Sequence, residues 1–410
     1  MRKNALRAAV AVVAGGLAAP SLAQETQVGI KTSLILEGIY FNKVEEGTES
    51  PAGFSGGHDH DHGDDHGHNH GLDEGFNLGH SELAFEARLG ELLDGTVLLG
   101  FNSDDIEVDE AFLTTRSLPA GFQLKGGKFL SDVGYINSRH SHDWDFADRP
   151  LVNEHLFGGH GLQETGIQAT WLAPTDTYTL LGVESLQGGD SKFGQLGESP
   201  VEEKAGPRMT TAFLKVGPDW GADHAAQFGV SGGYVSQDIV YEGHGDHGHA
   251  KEGESWFAGV DAVYKYASGR TQGHGDFRIA GEYYYLERDL THHALHKNGD
   301  WERRNSDTEK QDGLYVEAVY GVAPRWEAGV RGEALGLTND MLTGHFNSIE
   351  SLDTSYRYSG QLTYRPVERA FVRAQVNHND FADDHGHGDE GWEFMLQVNV
   401  ALGAHGAHTF

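Results

Sequence analysis

The chain has 410 residues, with 62 acidic against 30 basic side chains, a formal net charge of −32, and no cysteine. So acidic a chain is a poor partner for nucleic acid, and without cysteine there can be no disulfides, thiol redox chemistry or thiolate metal sites. Imidazole and carboxylate are the metal ligands that remain, and histidine is abundant at 25 residues.

Residues 1–23 read as an export signal. Arg2, Lys3 and Arg7 precede an apolar stretch from Ala8 to Ala19, and Ser21-Leu22-Ala23 supplies the small-x-small cleavage pattern, so the mature chain is expected to begin at Gln24. Losing the three leader cations makes the mature chain still more acidic. No later apolar run is long enough to cross a bilayer as a helix, so membrane embedding must come from strands.

From Val28 onward, segments of about ten residues alternate apolar with polar, the period-two signature of strands with two unlike faces. In the last segment Phe394, Leu396, Val398, Val400 and Leu402 share one face, while Glu393, Gln397 and Asn399 share the other. Trp256, Ala258, Val260, Ala262, Tyr264 and Tyr266 alternate in the same way with Asp261 and Lys265, as do Tyr356, Tyr358, Leu362 and Tyr364 with Arg357, Gln361 and Arg365. Short turns fall at Glu91–Gly95, Ser117–Gly121, Pro174–Thr177, Gly217–Asp223, Ser268–Gly275, Ala323–Arg325 and Pro366–Arg369. Between them lie loops at Lys43–Phe76, Asn102–Ile106, Leu130–Gln163, Gln187–Pro207, Gln237–Gly253, Asp289–Asp312, Thr338–Leu352 and Phe381–Glu390, all long except the second. Strict alternation of short and long connections predicts a sixteen-strand antiparallel transmembrane β-barrel in the outer membrane, short turns facing the periplasm and long loops facing outward. Sixteen strands enclose a water-filled channel.

Three outward loops carry histidine tracts set among acids and glycines. The first holds His58, Asp59, His60, Asp61, His62, His66, His68 and His70. Echoes follow at His244, His247 and His249 within 237–253, and at His385 and His387, beside Asp383, Asp384 and Asp389, within 381–390. Imidazole suits Zn²⁺, Cu²⁺ and Ni²⁺, and glycine lets the backbone wrap an ion, so these tracts are expected to bind several ions in rapid exchange. The bland reading is a solvated polar loop.

The loop at 130–163 gathers His140, His142, Asp143, Asp145, Asp148, Glu154, His155 and His160. If it folds into the barrel, these groups either meet a passing cation at a constriction or hydrogen-bond the loop to the wall, and the residues alone leave both open. His292, His293 and His296 rank lower because Lys297, Arg303 and Arg304 are close by, and His405 and His408 fall on the periplasmic side. The inward strand faces set Arg278, Arg331, Arg357, Arg365 and Arg373 against Glu282, Glu317, Glu327, Glu333 and Glu393, either as opposed charge arrays across the pore or as cross-strand pairs. No nucleophile elbow, phosphate loop or His-Glu-x-x-His helix marks the chain as an enzyme, and no obligatory cofactor is indicated.

Val108-Asp109-Glu110-Ala111-Phe112-Leu113-Thr114-Thr115-Arg116, then Gly126-Gly127-Lys128-Phe129, then Asp148-Arg149-Pro150-Leu151-Val152 together resemble the phosphate-selective porin O and P family. That resemblance implies a sixteen-stranded porin, often trimeric, and the chain's final Thr409-Phe410 resembles the terminal signal read by the barrel assembly machinery. The acidic total departs from a phosphate channel. The histidine loops resemble zinc-associated outer-membrane proteins, some labelled zinc-regulated TonB-dependent receptors, although the length leaves no room for a plug ahead of a 22-stranded barrel. Taken together, the expectation is an outer-membrane porin passing divalent metal, with zinc the favoured ion. The alternatives are a general or organic-solute porin whose histidine loops buffer metal or decorate the surface, a TonB-linked receptor-like protein, and a soluble periplasmic zinc carrier.

Overall fold

A strand rises about 3.3 Å per residue, so 9 or 10 tilted residues suffice to cross the apolar band of an outer membrane. The computed structural model describes residues 29–54, 72–103, 105–244, 247–296, 299–343, 348–383 and 387–403, and among them the chain folds as such strands. In chain order these are β1 Gly29–Glu45, β2 in two pieces (Gly75–Leu78 and Ser81–Leu89), β3 Leu93–Phe101, β4 Ile106–Thr115, β5 Phe122–Leu130 and β6 Gln163–Leu172. β7 Tyr178–Leu186, β8 Met209–Gly217, β9 His224–His244, β10 His247–Tyr266, β11 Phe277–Leu295 and β12 Trp301–Ala323 follow. The last are β13 Trp326–Thr343, β14 in two pieces (Ser348–Ser351 and Ser355–Val367), β15 Ala370–Asp380 and β16 Glu390–Gly403.

Every neighbour pair is antiparallel, and β1 pairs with both β2 and β16, so the sheet closes into a sixteen-strand barrel with no free edge. Closure is tight in register: Leu36 faces Val400 and Tyr40 faces Leu396, joining lipid-side residues of the first and last strands. The alternation read from the sequence holds along β16, where Leu396, Val398 and Leu402 are exposed on the outer face while Met395, Gln397 and Asn399 are buried inward. Aromatic pairs mark both interfaces, Trp326 with Tyr364 beside the short turns and His378 with Trp392 toward the loops.

Three loops differ from expectation. Most of 237–253 and 289–312, and part of 338–352, continue as paired strand, so β9 to β13 run to 18–23 residues while β3 to β8 have only 9 or 10. Two adjacent hairpins that pair with each other satisfy their backbone groups beyond the membrane, which polar composition alone does not reveal.

Residues 131–162 fold into the barrel. Their only α-helix, α1 (Leu151–Phe157), follows Pro150 at its N-cap and ends at Gly158, whose φ of 101° suits glycine. Leu151, Val152, Leu156 and Phe157 join Phe257, Tyr284, Tyr315 and Leu335 of the wall in one apolar core. The barrel interior on this side is therefore packed rather than uniformly polar.

Ionic contacts fix the loop. Asp148 accepts from Arg331 at 2.5 Å, Arg357 at 3.1 Å, Gln375 at 2.6 Å and Asn377 at 3.1 Å, donors from three successive strands. Asp145 takes Arg278 at 2.7 Å, and Arg373 donates to the Trp144 carbonyl at 2.8 Å. Glu282 receives the backbone N–H of Tyr135 and of Ile136, and the Asn153 amide at 2.8 Å. Arg278, Arg331, Arg357 and Arg373 thus grip the loop instead of facing opposing acids across an open pore, and Asp145 and Asp148 are wall contacts rather than groups that meet a passing ion. Removing one member of such a buried set strands its partners and costs about 3–5 kcal/mol. Asp148→Ala is accordingly expected to lower the thermal midpoint of the detergent-solubilised barrel and, with the loop released, to raise single-channel conductance in planar bilayers. Unchanged conductance with unchanged stability would show that the clamp does not hold the loop.

Candidate functional site

On a regular strand Asp109 and Glu110 would face opposite sides. In β4, Leu98 of the neighbouring strand stands opposite Glu110 and Leu99 opposite Val108, leaving Asp109 as an extra residue, a β-bulge. Bulges re-aim side chains, and here both carboxylates are buried, Asp109 at 2% and Glu110 at 9% exposure. Glu82 of β2 lies alongside them at 1% exposure. His80 stands in the break between the two pieces of β2, next to Gly79, where a side chain would collide with the Glu37 carboxylate.

The inward loop brings histidines to these acids. Glu82 Oε1 lies 3.3 Å from His140 Nδ1, 3.4 Å from His142 Nδ1 and 4.0 Å from His80 Nε2. His140 Nε2 reaches Glu110 at 3.2 Å, and the His140 and His142 rings stack in parallel with centroids 5.9 Å apart. His142 Nε2 is 3.7 Å from Asp143. His80 bonds Asp109 Oδ2 at 2.9 Å, and His160, outermost, lies 3.7 Å from Glu107 with its ring 6.2 Å from that of His80. Four imidazoles and five carboxylates therefore form one chain of contacts where the loop meets β2 and β4. Neutral imidazole and carboxylate both bind divalent metal, and protonated imidazole pairs with carboxylate, so the arrangement can hold either metal ions or protons.

Of the constriction candidates, His140, His142, Asp143 and His160 enter this cluster. Asp145 and Asp148 belong to the clamp, Glu154 lies on α1, and His155 packs its ring edge-on to Phe54, centroids 5.7 Å apart. Glu37, His80, Glu82 and Glu107 were not singled out from the sequence, and Asp109 and Glu110 entered only through the porin resemblance. An Asp-Glu pair interrupting an alternating strand is the signal that could have located the bulge.

The loop histidines fare differently. His58, Asp59, His60, Asp61, His62, His66, His68 and His70 lie outside the described residues, as do His385, His405, His408, the terminal aromatic and the export signal; so do the side chains of His244 and His247. His249 does have a neighbour, its Nδ1 lying 3.1 Å from His292 Nε2 on the adjacent hairpin. His387 is exposed, its backbone N–H bonding Asp383 at 2.6 Å. His296 pairs with Glu302 at 2.9 Å.

Burial would strip the proton from His140, but the Glu82 and Glu110 carboxylates overcome it and hold the imidazole well above its ordinary pKa. A raised folded value means that the stability from this contact is fully present below the unfolded pKa of about 6.5 and is lost as pH rises through the folded one. In metal-free protein, His140 is therefore expected to stay protonated through neutral pH, and Glu82→Gln to lower its pKa, as read by NMR titration of the imidazole. A His140 pKa indifferent to Glu82→Gln would refute the coupling.

The chain is 33% identical over 389 residues to an uncharacterized protein of Aquifex aeolicus (strain VF5), covering 92% of this chain and 79% of that one. No family model matches. Among solved structures, the fold is similar to OmpT, an outer-membrane protein of Vibrio cholerae (TM-score 0.55, 14% identity, 93% of this chain and 100% of that one). It is similar also to the outer-membrane channel DcaP of Acinetobacter baumannii (0.56, 13%, 92% and 97%) and to an anion-selective porin of Comamonas acidovorans (0.50, 10%, 92% and 100%). These show that the chain has the closed antiparallel fold of outer-membrane β-barrels.

Proposed function

We propose that this chain, which belongs to the same family as the Aquifex aeolicus protein, is a porin that passes divalent metal ions through the outer membrane, with zinc the best match. The observation that carries the proposal is the run of four imidazoles and five carboxylates where the inward loop meets β2 and β4. A partly dehydrated cation needs replacement ligands at a constriction, and weak multi-site binding lets it both arrive and leave. Four of the five wall arginines are paired with carboxylates, Arg331 and Arg357 with Asp148, Arg278 with Asp145 and Glu327, and Arg365 with Glu327, while Arg373 is held by neutral acceptors. The anion selectivity named for the Comamonas porin is accordingly not carried over, and neither is phosphate selectivity from the porin O and P resemblance.

In this reading the chain is exported by its leader, inserted by the barrel assembly machinery and assembled as a homotrimer, the form in which OmpT has also been solved. The outer histidine tracts concentrate Zn²⁺ at the mouth, passage is downhill without TonB coupling, and the chain is not an enzyme.

Zn²⁺ uptake into proteoliposomes, measured beside chloride conductance, tests the proposal. Glu82→Gln with Glu110→Gln is expected to lower the Zn²⁺-to-chloride permeability ratio about tenfold, equivalent to ~1.4 kcal/mol of lost cation attraction. An unaltered ratio would return the chain to the class of general or organic-solute porins.

A further inference from the structure

On the outer side of the cluster, one ligand atom each from Glu107, Asp109 and His160 lies within 4.8 Å of the other two. Glu107 and Asp109 come from β4. His160 comes from the turn that returns the inward loop to the wall, Gly158-Gly159-His160-Gly161, whose first and last glycines have φ of 101° and 76°. That turn is a shape few other residues adopt, and it delivers a single imidazole to the strand.

A second observation singles out Asp109. Its carboxylate is buried at 2% exposure, Oδ2 is held by His80, and Oδ1 has no hydrogen-bond partner among the described residues. A buried charged acceptor without a donor is costly, and a bound cation removes that cost. Space for one is preserved by Gly100 on β3, where a β-carbon would run into the Asp109 carboxylate and come within 2.7 Å of the His80 ring. The separation of His160 Nδ1 from Glu107 Oε1, 3.7 Å, is close to the ligand-to-ligand edge of about 3.4 Å set by bonds of 2.0–2.2 Å to a tetrahedral ion.

We infer that Glu107, Asp109 and His160 form a discrete site for a divalent first-row transition metal, which ties the returning limb of the inward loop to β4. His80 is the positioning residue, orienting Asp109 from behind as outer-sphere partners of metal ligands do. One imidazole and two carboxylates make a borderline-to-hard donor set suited to Zn²⁺, Co²⁺ or Mn²⁺ and unlike the imidazole-rich tracts of the outer loops. These three residues are the outer end of the run on which the transport proposal rests, and the ion held by them is a structural tie rather than the transported ion.

Crystals of the full chain soaked in ZnCl₂ and measured on both sides of the zinc absorption edge test it. An anomalous peak is expected between the three side chains, and His160→Ala is expected to abolish it. Should that variant not fold, Glu107→Gln, which alters an exposed side chain, is expected to weaken the peak. No peak there, or peaks confined to the histidine tracts, would overturn the inference. Zinc flux without a peak would spare the transport proposal, and a peak without flux would spare the site.

Discussion

Everything about the inward loop follows from the cost of taking charge out of water. Asp148 and its partners Arg331 and Arg357 are nearly inaccessible, and such groups are tolerable only when each lone pair and each N–H finds a partner. Gln375 and Asn377 supply the remaining donors to Asp148, while Arg331 also pairs with Glu333 at 2.8 Å. A shift of the loop by one residue would strand several buried charges together. The apolar packing of α1 adds attraction but not register, because hydrophobic contact is non-directional. The clamp therefore selects a single loop position, and that position carries His140 and His142 to Glu82 and Glu110.

The same arrangement divides the barrel electrostatically. On the wall from β11 to β15, Arg331 and Arg357 pair with the loop carboxylate of Asp148 out of contact with water, and the partly exposed Arg278 pairs with Asp145 and Glu327. On the wall from β2 to β4, the buried carboxylates Glu82, Asp109 and Glu110 lie against His80, His140 and His142, whose charge varies with pH and with metal. The sequence sets arginines and glutamates on the wall without saying which are paired, and the contacts join Asp145, Asp148 and Glu327 to arginine but Glu82, Asp109 and Glu110 to histidine.

The strand pattern, the sixteen-strand count and the turn positions were legible because a barrel repeats one local rule, and each strand shows it independently. What depends on distant partners was not. Asp148 and Arg331 lie far apart in the chain, and nothing near either announces the pairing, so the wall-contact role of Asp145 and Asp148 could be offered only as one of two options. The apolar patch inside the barrel was hidden for another reason. Tyr283-Tyr284-Tyr285 and Leu314-Tyr315-Val316 place apolar residues on both faces, and a period-two pattern loses its contrast where lipid and α1 both demand apolar side chains. Asp109 was read as part of a motif, yet its orientation depends on a bulge that breaks the very periodicity used to assign faces.

The two halves of the barrel differ in height, and this bears on how an ion would reach the acidic side. Strands β3 to β8, with 9 or 10 residues, span little more than the apolar band, while β9 to β13 rise well beyond it as paired hairpins. Glu107 and His160, with side chains 48% and 61% exposed, sit at the outer ends of the short strands, on the low side of the rim. The hairpins of the tall side carry His249 against His292, while Glu107 lies on the low side. From there the carboxylates and imidazoles continue inward without a break through Asp109, His80, Glu82 and His140 to Glu110. In the proposed transport, this run of side chains sets a direction of approach from Glu107 inward.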